Sequence, residues 1–293
     1  MNAPLTLYTL MSLMILLWSA NFIIGKVALR EFPPLLLGAL RIGLAGIFLA
    51  PIYWRRARTA AKPFRPGEDL LLLLFLAACN VGNQLLFLAG LNRTTVAHSA
   101  LIIGVGPMFV LLIAAMLGIE RITLRKIAGM AIALAGVALL VYQVRGPETA
   151  QATLAGDLLT AAACILLSLF AVYGKKATER YGTIAVNSFA YMGGAALLAP
   201  VALWQARGFP FADVSPAGWA SLVYMAVFPS AICYLIYYHA LAHISASRVA
   251  AFIYLEPVIA TLMAVAFLGE RITTPLVAGG TVIFTGVYLT ERG

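Results

Sequence analysis

Glu256 is the most costly side chain in this sequence to place. It stands in Tyr254-Leu255-Glu256-Pro257, about ten residues from either end of an apolar run. A carboxylate at the middle of a hydrocarbon layer costs roughly 3 kcal/mol unless it faces a cavity, meets a partner or carries a proton. Its chemistry would be proton coupling or counter-charge to a substrate amine. The structural alternative is a carboxyl group that satisfies backbone freed by Pro257, which has no main-chain N–H. Arg41 is the second coupling candidate, about seven residues inside another apolar run. Snorkelling to the nearer surface is the simplest expectation. Pairing with Glu256 and binding an anionic substrate group are the alternatives.

Uncharged polar groups recur at the same depth. Asn80, Asn83, Gln84 and Phe87 share one face of a helix. Three amides there need water in a cavity or bonds to a neighbouring helix. Asn21, three residues after Trp18, poses the same choice. A later run carries Tyr224, Phe228, Tyr234, Tyr237 and Tyr238. Tyr234 and Tyr238 share a face and offer an aromatic wall to an apolar or aromatic ligand, or else part of an interfacial aromatic belt. Tyr254 precedes Glu256 by two residues. Pro107, Pro229 and Pro257 interrupt apolar runs and are candidate hinges. Lys26 is expected to snorkel, and His98 to be a hydrogen-bonded packing residue. In Glu120-Arg121 and Glu270-Arg271 the charges are expected to close tight turns and cap helix ends, with the following Thr as N-cap.

The elements that position these groups are apolar helices. The chain has 293 residues, 62% of them hydrophobic and 11% charged, against about 25% charged in soluble domains. Ten spans are predicted, at 5–29, 34–54, 69–91, 95–119, 124–143, 154–177, 184–205, 216–241, 246–268 and 274–290. Lysine and arginine concentrate in alternate loops, which places both termini in the cytoplasm. The net charge of +9 thereby reflects membrane topology, and nucleic-acid binding is not expected. The N-terminal run lacks the positive leader of a secretory signal and is read as a retained helix. Cys79, Cys164 and Cys233 lie inside apolar runs without metal-ligand spacing, so neither a metal nor a disulfide framework is implied.

Residues 91–140 return at 241–290 without a gap. Pro107 matches Pro257, Glu120-Arg121-Ile122-Thr123 matches Glu270-Arg271-Ile272-Thr273, and Gly129 and Gly136 match Gly279 and Gly286. Ser19 and Gly25-Lys26 align with Ser168 and Gly174-Lys175. The halves are 1–146 and 147–293, five spans each. Five is odd, so the copies are expected to lie in opposite orientations. An inverted repeat has two near-equivalent packings, whose exchange opens a central site to each side in turn. That points to a carrier over a channel. Position 106, the match of Glu256, is glycine. No metalloprotease, P-loop or hydrolase motif is present, so no enzyme, no cofactor and no ATP-driven step is expected.

Leu255-Glu256-Pro257-Val258 followed by Leu268-Gly269-Glu270-Arg271-Ile272-Thr273, with Trp18-Ser19-Ala20-Asn21-Phe22 and Leu40-Arg41, resembles the drug/metabolite transporter superfamily in its EamA branch. The resemblance covers essentially the whole chain. It implies a multi-pass inner-membrane exporter of small metabolites, amino acids and aromatic or hydrophobic relatives first among them. It further implies a central cavity lined by spans 1, 3, 4, 6, 8 and 9. Efflux of lipophilic cations, with Glu256 as counter-ion, is the first alternative; uniport or exchange without ion coupling is the second. The expected partners are a small-molecule substrate and the lipid bilayer. A monomer is expected, with a homo-oligomer as the alternative.

Overall fold

The computed structural model describes residues 3–59, 67–118, 123–142, 152–243, 253 and 255–292. Among them every regular element is helical. In chain order the α-helices are α1 Ala3–Ala28, α2 Pro34–Thr59, α3 Leu70–Leu91, α4 Val96–Ile103, α5 Gly106–Met116, α6 Leu124–Tyr142, α7 Leu154–Tyr181, α8 Thr183–Ala206, α9 Pro216–Val227, α10 Cys233–His243, α11 Glu256–Leu268 and α12 Thr274–Arg292. Among the described residues seven stretches are long and apolar enough to cross a membrane, while Glu256–Leu268 and Thr274–Thr290 are shorter apolar helices. Bulky side chains such as Ile47, Leu71, Leu203 and Phe267 are exposed on the outside of the bundle. That suits a protein solvated by lipid chains, where burying apolar surface between helices gains little. The chain is a multi-pass membrane protein.

Most predicted spans are continuous helices whose ends fall within a few residues of expectation; two are broken. The span predicted at 95–119 is α4 and α5, separated at Gly104-Val105. Pro107 occupies the first turn of α5, where its missing N–H costs nothing. The span predicted at 216–241 is α9 and α10, joined by a π-helical turn, Phe228–Ile232, that contains Pro229. Proline cannot supply the regular ladder bond, and the wider turn absorbs the defect. Pro257 sits in the first turn of α11. Of the predicted 246–268 span, residues 246–252 and Tyr254 lie outside the described residues, as does Glu120-Arg121.

The broadest helix contacts are α6 with α12, α3 with α7, and α2 with α8. Each joins a helix before residue 146 to one after it. In the α6–α12 crossing the glycines that match between the halves let the backbones touch. A Cβ on Gly136 would lie 2.9 Å from the Gly279 carbonyl oxygen, and one on Gly286 would collide with the Ala133 backbone. Close small-residue crossings of this kind hold helices together where no hydrophobic driving force operates.

Candidate substrate site

The helix breaks meet at the centre of the bundle. A Cβ on Gly104, in the break after α4, would lie 2.7 Å from Pro257 Cγ at the start of α11. Serine side chains bond backbone carbonyls at the starts of the helices that follow the breaks. Ser168 Oγ of α7 donates toward the carbonyl of Gly106 at 3.2 Å and that of Cys164 at 2.8 Å. Ser19 Oγ of α1 donates to the carbonyl of Glu256 at 3.3 Å. The two arrangements correspond, since Ser19 aligns with Ser168 and Glu256 with Gly106.

Beside these breaks lies a buried polar network. Arg41 of α2 is 4% exposed and donates from Nε to Ser230 Oγ at 2.7 Å. Ser230, in the π-helical turn, passes its own proton to the Met225 carbonyl at 2.8 Å, and its oxygen lies 3.4 Å from Gln84 Oε1. Gln84 spends both amide hydrogens, one on Tyr191 Oη at 2.9 Å and one on Asn80 Oδ1 at 3.3 Å. Two donors of the network have no acceptor among the described residues, Arg41 Nη1 and Asn80 Nδ2. Two network positions on one half are related to two on the other by the repeat distance, 41 to 191 and 80 to 230, and the same distance relates Gln84 to Tyr234.

An aromatic cluster closes over the network. Trp18 donates its indole N–H to the Pro229 carbonyl at 3.2 Å. Its ring meets Tyr234 edge-on at 5.7 Å between centroids and Tyr237 at 5.8 Å. Tyr234 also contacts Phe170 and Tyr191 edge-on, at 5.8 and 6.3 Å. Tyr238 is anchored to the Phe170 carbonyl at 3.1 Å. Tyr234 and Tyr238 are both buried.

Several expectations change. Arg41 does not snorkel: it is buried and donates to Ser230, in an element distant in sequence, which in turn lies beside Gln84. Nor does it pair with Glu256, because no ion pair links them among the described residues. Glu256 is 5% exposed and in the first turn of α11, within electrostatic reach of Cys164 and Cys233. Cys233 is also within reach of Arg41. Asn83 is an interhelical bond, donating to the Ala163 carbonyl at 2.9 Å. Phe87 packs edge-on against Phe22 at 5.3 Å. Asn21 is buried with an unpartnered Oδ1. Tyr191 and Ser230 were not anticipated; their numbers, read against Arg41 and Asn80 through the repeat, were the available signal.

A second cluster lies on the side predicted to be outer. Glu270 accepts from the backbone N–H of Val96 at 2.9 Å and of Ala97 at 3.3 Å. It thus caps α4, in the other half, and not the turn in which it stands; Thr273 caps α12 as expected. Lys26 reaches inward to the Thr94 carbonyl. Thr94 and His98 both bond the buried Asp157 of α7, His98 Nδ1 at 3.3 Å. Glu31 accepts from Ser215 N at 2.7 Å and Oγ at 2.6 Å at the start of α9. Lys26, Arg30, Asn92 and Glu270 line a cavity of about 300 Å³.

Comparison with known proteins gives this arrangement a setting. The chain is 30% identical over 285 residues to an uncharacterized transporter of Archaeoglobus fulgidus, covering 97% of this chain and 96% of that protein. It is 30% identical to a probable terminal-alkyne amino-acid exporter of Streptantibioticus cattleyicolor, over 96% and 91% of the two chains. It is 26% identical to the uncharacterized inner membrane transporter YedA of Escherichia coli, over 94% and 87%. A crystal structure at 21% identity superposes with a TM-score of 0.68 over 97% of this chain and 98% of that one, a likeness of fold. The description of the EamA-like transporter family fits the chain twice, at residues 5–142 and 154–292. The protein belongs to the EamA-like transporter family.

Proposed function

We propose that the protein is a secondary-active inner-membrane exporter of small metabolites, amino acids with apolar or aromatic side chains first among them. Transport proceeds by alternating access between two inverted five-helix halves, ten spans in all. The observation that carries this reading is the network of Arg41, Asn80, Gln84, Tyr191 and Ser230 beside the central helix breaks. A polar site at mid-membrane, built at discontinuous helices where two halves meet, is what a carrier requires. The twofold family match and the paired bonds of Ser19 and Ser168 support the inverted repeat. The name of the Streptantibioticus relative supports the amino-acid class, and that of YedA supports the inner membrane.

Glu270 and Glu31 each cap a helix of the opposite half on the predicted outer side. This reading makes them the outer seal, closed in the present conformation. The test is efflux from proteoliposomes loaded with each of the twenty amino acids in labelled form. Saturable, exchangeable efflux of at least one is expected; none, with correctly inserted protein, would sink the amino-acid reading.

A further inference from the structure

We propose that the charged cavity beside Glu270 is a second cargo site, which holds a free amino acid at the predicted outer mouth of the carrier. Arg30 takes the carboxylate and Glu270 the ammonium. The inference rests on the transport reading and adds a station to its route.

The cavity of about 300 Å³ is bounded by Lys26, Leu29, Arg30, Asn92, Leu268 and Glu270. That volume is at the small end for ligand pockets and suits a molecule the size of one amino acid. Its walls come from distant parts of the chain, and main-chain bonds hold them in place. At the end of α1, Leu29 N bonds the Gly25 carbonyl at 2.9 Å and Arg30 N that of Val27 at 3.2 Å. Arg30 thus stands one turn beyond Lys26, and both line the same cavity. Gly269 ends α11 in the left-handed region, at φ +68°. Glu270 N then returns to the Ala264 carbonyl at 3.3 Å, which fixes where the carboxylate starts.

The charges around the cavity are not matched to each other. Neither cation forms an ion pair with Glu270 among the described residues. Arg30 is exposed and permanently charged, and its neighbour Glu31 is engaged by Ser215. Lys26 gives one of its three hydrogens to the Thr94 carbonyl. Glu270 accepts from the N–H groups of Val96 and Ala97, and a carboxylate has lone pairs for a further donor. Two cations and one carboxylate leave the lining with surplus positive charge, which draws a carboxylate. A ligand that also carries an ammonium answers Glu270. Leu29 and Leu268 pack on the buried core that includes Leu88 and Leu91, and they give an aliphatic side chain an apolar floor.

The charged contacts are to groups that every amino acid carries, so the site does not choose among side chains. It does place cargo on the carboxylate that caps α4. A bound ammonium competes there with Val96 and Ala97, so an amino acid arriving from outside loosens the seal.

Protection of a reporter cysteine tests the site without transport. Asn92 is exposed, and the native Cys79, Cys164 and Cys233 are buried. A maleimide added to the Asn92→Cys protein in detergent therefore reports on the cavity. L-leucine should slow the labelling. Its decarboxylated and deaminated relatives, isoamylamine and isocaproate, should each need about fivefold higher concentrations, the scale of one exposed ion pair. Adding Arg30→Gln should shift the leucine curve by a similar factor and leave the isoamylamine curve in place. Size-exclusion retention checks the fold, and if Arg30→Gln fails to fold the analogue panel decides alone. Isocaproate protecting as well as leucine would reduce the cavity to an anion site and overturn the proposal. So would leucine that gives no protection, or protection indifferent to Arg30. None of these results touches amino-acid efflux. Failure of every amino acid in the efflux assay removes the transport reading and leaves the protection result standing.

Discussion

At the scale of single residues, the network's stability depends on complete use of its hydrogens. Tyr191 Oη takes one of the two amide hydrogens of Gln84. Removing that acceptor leaves a buried donor unmatched, at a cost of about 1–3 kcal/mol. Tyr191→Phe is therefore expected to lower the melting temperature in detergent and raise the KM for transport. Trp18→Phe keeps a ring against Tyr234 but loses the indole bond to the Pro229 carbonyl. A several-fold fall in kcat with little change in KM is expected, because that bond ties α1 to the π-helical turn, an element proposed to move. Measuring kcat and KM separately distinguishes the two variants.

At the scale of elements, the outer seal and the glycine crossing make different demands. Glu270→Gln removes the charge that faces the α4 N-terminus and one of its two acceptor oxygens. The seal should loosen, and Cys164 and Cys233, both buried, should react faster with an impermeant maleimide added from outside. Gly286→Leu should instead destabilise. Its side chain would be driven into the Ala133 backbone, so the melting temperature should fall by several degrees at unchanged KM. The helices themselves were legible in the sequence, because apolar runs end at charged, glycine or proline punctuation. The break in the fourth span was signalled by Gly104, Gly106 and Pro107. Burial of Arg41 was not legible. Snorkelling follows from depth in a single span, whereas burial depends on Tyr191 and Ser230, 150 and 189 residues further along the chain. Glu270 was read as a cap for its own turn because a local partner is the default; its partner lies across the molecule.

At the scale of the whole molecule, the proposed five spans per half would invert the second half. A lone reporter cysteine at Arg207, between α8 and α9, should label from outside intact cells, and one at Arg56, at the corresponding end of α2 in the first half, only after the membrane is opened. The same side for both would remove the inversion and with it the alternating mechanism. Two-sided accessibility of the site would then need another explanation, such as a channel, which saturation and exchange kinetics would expose.

The seal at α4 has a consequence for how such a protein can diversify. Glu270 holds main-chain N–H groups, so the identity of the side chains at 96 and 97 is immaterial to it. The proposed cargo pocket, by contrast, is written in side chains. On that reading gating and recognition are recorded in separate parts of the molecule. A selection for export of a new compound should gather its changes around Trp18, Asn80, Tyr191 and Tyr234 and leave position 270 untouched. One opening-and-closing machine could serve many cargoes by inheritance.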